Sequence, residues 1–186
     1  MILAEIKSKS ELNIINSDAI VINIAHFSSP SDSLISINEA KEIIKESTKP
    51  VFLKLLPLYK DEDYKELENL FKEIKGISGI IFQDLGLVSL KKKCLPDALM
   101  IYDSNNFITS SADSSFFKDD DADALTLSTT LSLKEVDEVL KDTSFKYMVH
   151  TFGYIEMFYS YRKHFTNYSK EYNIINLKDD YDVYIK

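Results

Sequence analysis

Apolar residues in this chain come in short bursts, and between the bursts the spacing changes. The bursts fall near residues 2–6, 19–24, 51–56, 79–83, 98–102, 123–127 and 145–150. Each is short, rich in Ile, Val, Leu and Phe, and bounded by polar or turn residues, which reads as a strand buried on both faces. Between the bursts the apolar positions recur at three and four, the spacing of a helix face. The best case is Asp61–Lys75, where Leu67, Leu70, Phe71 and Ile74 share one face and Asp, Glu and Lys fill the other. Ser8–Glu11, Ser36–Glu39 and Ser132–Glu135 each place a Glu three residues after a Ser. That spacing lets the two residues cap a helix start reciprocally. It predicts helices from Ser8 to about Asn16, from Ser36 to about Glu46, and after Ser132 with Leu133, Val136, Val139 and Leu140 buried. A short helix over Leu87–Lys93 and a weakly patterned one over Ile108–Phe117 complete the set.

Strand and helix therefore alternate through seven units, without a linker or a low-complexity break. Alternation of this kind gives a parallel sheet with helices packed outside it. Right-handed crossovers leave two shapes, an open doubly wound sheet or a barrel. No G-x-G-x-x-G follows the first strand and the chain has only four glycines, which argues against a dinucleotide-binding sheet. The expected fold is a TIM-like β/α barrel, small or incomplete, since a full one takes about 250 residues. Residues 1–170 are assigned to it. Residues 171–186, where Ile174, Ile175, Leu177, Val183 and Ile185 flank Lys178–Tyr181, read as a hairpin or an added strand, a short C-terminal β segment.

One stretch, Tyr147–Tyr168, stands out. It runs from an apolar strand through His150 to Gly153, where a backbone turn with positive φ is expected. It then becomes an aromatic pattern, Tyr154, Phe158, Tyr161 and Phe165, which predicts a buried helix face.

Composition narrows the function classes. Of the 186 residues, 45% are apolar, which is the globular range and argues against wholesale disorder. A net charge of −8 repels phosphate backbones, so a nucleic-acid footprint on this chain alone is not expected, although Lys91–Lys93 and Arg162–His164 are basic. The single cysteine, Cys94, cannot build a disulfide, a Cys₄ zinc site or an iron–sulfur cluster within the chain. The three histidines lack metalloprotease spacing, and Asp119–Asp123 lacks the glycine and terminal Glu of a calcium loop. No cofactor or metal is expected. No apolar run is long enough to span a bilayer and no leader peptide is visible, so a cytoplasmic location is the expectation.

In a parallel barrel, ligands bind where the strands end. The polar residues expected there are Asn23, Lys54, Asp84, Asp103, Asn105, Ser128, Thr129 and His150. Asp84 or His150 is the candidate base, because His titrates near neutrality and a carboxylate is tunable by burial. Asn23, Lys54, Asp103, Asn105, Ser128 and Arg162 are candidate binding residues. Asp84 and Asp103 could instead cap turns, and His150 could be a satisfied structural histidine.

Phe152, Gly153, Met157, Ser160, Arg162 and Tyr168 fit the spacing F-G-x-x-x-[LM]-x-x-S-x-R-x-x-x-x-x-Y. This resembles the signature segment of peptidase family U32 in its short, low-GC bacterial form. Asp84-Leu-Gly86 is similar to the family's D-x-G loop, Asp123–Ser128 to its A-D-x-[VL]-x-L-S strand, and Leu131–Glu135 to the L-S-L-x-E that follows. The resemblance implies a peptidase or hydrolase acting on a peptide or small molecule. It also allows a non-catalytic partner of a cysteine-bearing paralogue in RNA hydroxylation, or a homo-oligomer. A small-ligand-binding barrel is the reading that needs no family. The departures weaken catalysis. Thr129 and Thr130 stand where the family carries Arg-Glu, Ser110-Ser111 where it carries Asn-Ser, and His26–Ser33 lacks its arginine.

Overall fold

The computed structural model describes residues 1–28, 34–117, 122–153 and 164–173. The chain forms strands β1 (Leu3–Glu5), β2 (Ala19–Ile22), β3 (Val51–Leu55), β4 (Gly79–Phe82), β5 (Leu99–Tyr102), β6 (Ala124–Thr126) and β7 (Lys146–Met148). The helices are α1 (Ile37–Glu46), α2 (Tyr64–Glu73), α3 (Gly86–Cys94), α4 (Ser111–Ser114), α5 (Leu133–Val139) and α6 (His164–Tyr172). All seven strands are parallel and lie in sequence order in one sheet. With no reversal in strand order, right-handed crossovers send every connecting helix to the same face. Among the described residues the other face has no helix layer, yet Ala19, Val21, Phe52, Ile81 and Ile101 are buried there, joined by Leu3 of β1 and Met148 of β7. The sheet curls over its own inner face into an open half-barrel, as the alternation predicts.

The outer core is larger. Ile20, Ile22, Leu53, Leu55, Ile80 and Phe82 meet Ile43 of α1, Leu67, Leu70 and Phe71 of α2, and Leu87 of α3. The α2 stripe is thus buried as its spacing predicts, with Ile74 beside it. A smaller cluster holds β6 to α5 through Leu125, Leu127, Val136 and Val139. Ser36 and Ser132 each accept a hydrogen bond from the N–H of the Glu three residues on, and at Ser132 the reciprocal bond also forms.

Four expectations change. Ser8–Glu11 forms only a short 3₁₀ turn, Lys9–Glu11: Ser8 makes no side-chain cap bond, and the Glu11 carboxylate accepts from Lys7 N–H instead. The helix expected over Ile108–Phe117 shrinks to α4, because Ser110 and Asp113 make a capping box in mid-segment. On α5, Leu133 is 84% exposed and Leu140 is 46% exposed, leaving Val136 and Val139 as the buried stripe. Gly153 does turn with φ of 123°, but it lies on the surface, and α6 buries no residue: Phe165 is 43% exposed. Aromatic spacing identifies a shared face but not what the face packs against. Residues 154–163, which hold Tyr154, Met157, Phe158, Ser160, Tyr161 and Arg162, lie outside the described residues, as does the tail from Ile174.

Candidate functional site

Strand parity decides which polar residues share the bowl. Side chains alternate between sheet faces, so two steps beyond an inner-face residue lies another inner position. Counting on from Leu3, Val21, Phe52, Ile81, Ile101 and Met148 gives Glu5, Asn23, Lys54, Gln83, Asp103 and His150; counting from Ala124 gives Thr126 and Ser128. Seven strands of apolar floor thus end in a polar rim.

The rim has two halves. On the β5–β7 side, Asp103 is 2% exposed. Its Oδ1 accepts the backbone N–H of Asn105 at 2.9 Å, and Oδ2 lies 3.4 Å from Nε2 of His150. Asn105 makes that bond from a left-handed backbone, φ 68°, which Asn tolerates. Since β6 stands between β5 and β7, the His150–Asp103 contact crosses over β6, where Thr126 and Ser128 occupy the inner positions. Ser128 is buried and lies 2.7 Å from the Thr130 hydroxyl, and its Oγ also accepts Thr130 N–H. Thr129 Oγ1 donates to Asn106 Oδ1 at 3.1 Å, which ties the β5 and β6 loops together.

On the β1–β3 side, Glu5 receives Asn23 Nδ2 on one carboxylate oxygen at 2.6 Å and Lys54 Nζ on the other at 3.1 Å. Ser28 braces this group from behind: its hydroxyl donates to the Lys54 carbonyl at 2.6 Å and accepts Ile24 N–H.

Asp84 joins neither half. Its carboxylate accepts from Tyr59 N–H and the Tyr64 hydroxyl at 2.8 Å each and from Gly86 N–H at 2.9 Å. Three donors engage both of its oxygens and knit the β3 and β4 loops to α2 and α3. The Tyr64 phenol is held well above its usual range, first by burial and then by the Asp84 hydrogen bond. The turn reading of Asp84 therefore fits the geometry better than the base reading. Burial, and second the Asp103 charge, likewise raise the Tyr102 phenol. Among the described residues no group of three or more His, Cys, Asp or Glu side chains is placed to hold a metal.

Three site residues escape a first pass over the sequence. Glu5 sits inside an apolar run and reads as an interruption. Asn106 lies in a polar loop and gains a role only from its contacts with Ser128 and Thr129. Thr126 is fully buried and its hydroxyl has no partner among the described residues, uncommon for a buried polar group. Parity counting could have found Glu5 and Thr126; no sequence signal marks Asn106.

Among solved structures, the chain resembles N-(5'-phosphoribosyl)anthranilate isomerase from Pyrococcus furiosus, with a TM-score of 0.53 and 19% identity over 84% of this chain and 92% of that one. Thiamine phosphate pyrophosphorylase from Pyrococcus furiosus also matches, with a TM-score of 0.49 and 11% identity over 79% of this chain and 72% of that one. At 19% identity the isomerase supports the α/β-barrel fold alone. No curated protein matches the sequence. No helix among the described residues is long and apolar enough to cross a membrane. The model of peptidase family U32 matches residues 16–174, nearly the whole barrel including every strand from β2 onward, and the chain belongs to that family.

Proposed function

We propose that this chain is a peptide-binding member of family U32 that hydrolyses amide bonds slowly, with His150 as general base and Asp103 as the group that orients it. The observation that carries the reading is the His150 Nε2–Asp103 Oδ2 contact of 3.4 Å at the strand ends, with the carboxylate buried and the imidazole side chain 36% exposed. A buried carboxylate beside one ring nitrogen favours the proton there and leaves the lone pair on Nδ1. Nδ1 then takes a proton from water as the water oxygen attacks the amide carbon. The same proton passes to the leaving nitrogen as the tetrahedral intermediate collapses. On the β6 loop the Thr129 and Thr130 hydroxyls are engaged with Asn106 and Ser128, and neither brings a charge to the developing oxyanion. Loss of one preorganised electrostatic donor commonly costs about 10²–10³ in rate, so turnover well below the ~10 s⁻¹ typical of enzymes is expected.

The test is cleavage of gelatin and of a mixed peptide library by the purified chain, beside His150→Gln and Asp103→Asn. The parent should cleave slowly, and His150→Gln should lower the rate by about 10²-fold or more. Absence of cleavage above background, or cleavage that survives His150→Gln, overturns the reading.

A further inference from the structure

The β1–β3 half of the rim plays no part in proton transfer, yet it too is held by a network of hydrogen bonds. Lys54 is the lysine that parity puts at an inner strand end; its side chain is 23% exposed and its partner Glu5 is 35% exposed. An ammonium on a four-carbon stem is mobile unless something holds it. Here Glu5 holds it at the tip and Ser28 holds its backbone carbonyl. Each oxygen of the Glu5 carboxylate already takes one of these donors, Asn23 on one and Lys54 on the other. An ammonium has three N–H bonds and an amide two. Among the described residues Lys54 therefore retains two beyond its Glu5 bond, and Asn23 one beyond its own. An anchored cation and an amide N–H at the edge of a bowl form an acceptor site for a carboxylate, where a charge-assisted bond is strongest.

We propose that Lys54 and Asn23, held by Glu5, bind the C-terminal carboxylate of a short peptide whose scissile bond lies under His150. This names the substrate class of the peptidase reading and rests on it. Four strand intervals separate β3 from β7. At ~4.8 Å each they span on the order of 20 Å along the sheet, and less across the bowl. An extended chain advances ~3.3 Å per residue, so the bond cut lies within about six residues of the free carboxylate. The chain is then a trimming enzyme acting near peptide C-termini.

Binding calorimetry on the full chain separates this from the hydrolysis reading, because it needs no turnover. The probes are N-acetyl-trialanine with a free carboxylate, the same peptide as its C-terminal amide, and inorganic phosphate. The parent should bind the acid at least about tenfold more tightly than the amide, the usual value of a hydrogen bond to a charged group. Lys54→Met should bring the two affinities together, and Lys54→Arg should keep part of the difference. Equal affinity for acid and amide in the parent overturns the proposal, and so does a preference that persists in Lys54→Met. Phosphate bound more tightly than the acid peptide overturns the carboxylate assignment. If Lys54→Met does not fold, the parent's acid-to-amide ratio decides alone. Acid preference without cleavage would keep the anchor and discard the hydrolysis reading; cleavage without acid preference would do the reverse.

Discussion

Strands β2–β5 and strands β6–β7 belong to one sheet but are held in different ways. In β2 and β4 every residue is buried, and β3 is buried at all but Lys54. Fully buried Phe82, Leu53 and Leu55 meet fully buried Leu67 and Phe71 of α2 across the sheet–helix interface. β6 and β7 are shorter, Lys146 is exposed, and their helix α5 contributes only Val136 and Val139 to a core. The deep half provides a rigid frame, and the shallow half carries His150 and Ser128. Weakly buried segments are where opening costs least; His150 follows the shallow strand β7, whereas its partner Asp103 follows β5 and Lys54 lies on β3, both in the deep set.

The largest test of that contrast uses two phenylalanines. Phe71 is fully buried in the deep core, and its replacement by alanine should cost roughly 3–5 kcal/mol. Phe165 on α6 is 43% exposed, and Phe165→Ala should cost less than about 1 kcal/mol. Urea midpoints measure both. Equal losses would mean that α6 belongs to the same cooperative core and that the contrast is false.

Two glycines give a smaller effect with a sharper diagnosis. A methyl group on Gly79 would lie 2.5 Å from Phe52 Cε1 and 2.8 Å from the Leu99 carbonyl oxygen. Gly79→Ala should therefore destabilise the deep half by about 1–3 kcal/mol through overpacking. A methyl on Gly153 would meet nothing within 4 Å, but φ there is 123°, so the cost of Gly153→Ala is strain in its own backbone. Trimming the neighbour, Phe52→Leu, should lessen the Gly79→Ala penalty in a double-mutant cycle. No neighbouring substitution should relieve Gly153→Ala. A Gly79→Ala penalty unchanged by Phe52→Leu would place the strain in the Leu99 backbone alone.

The same contrast explains how much was legible in the sequence. All seven strands, their parallel order and the half-barrel follow from apolar runs and helix spacing; the signature is continuous in β2, β3 and β4, which are buried on both faces, and shorter in β1 and β7, which are only half-buried. The α2 stripe was legible for the same reason: one face meets the core and one meets water. Leu133 and Phe165 were misplaced because an apolar residue at helical spacing does not state whether anything covers it. The strand ends that carry the candidate residues were legible as positions. Asn23, Lys54, Asp103, Ser128 and His150 lie at strand ends as read, whereas Asp84 is one step out of register with them and turns to the loops. Partnerships such as Glu5 with Lys54 join residues far apart in the chain and only the register makes them neighbours.

The smallest effect lies at the junction of the two regions. α4, between β5 and β6, begins with a capping box in which Asp113 accepts Thr109 N–H at 2.7 Å and Ser110 N–H at 2.9 Å. The Thr109 backbone bond is the main cause that lowers the Asp113 carboxyl below its ordinary value; desolvation opposes it, and the Ser110 bonds add to it. A carboxyl depressed in the folded state stabilises the fold above its unfolded pKa, which is about 3.9 for Asp. That contribution fades as pH falls through the lower, folded value. Asp113→Asn keeps the shape but has no charge at any pH. It should be less stable than the parent near pH 7, by about 1 kcal/mol or less for an exposed cap. The difference should shrink once pH drops below the ordinary Asp range. Urea unfolding of both proteins at pH 7, 5 and 3 reads the outcome. A gap that stays constant across that range would show that the box works through neutral hydrogen bonds and that its charge adds nothing to the joint between the deep and shallow halves.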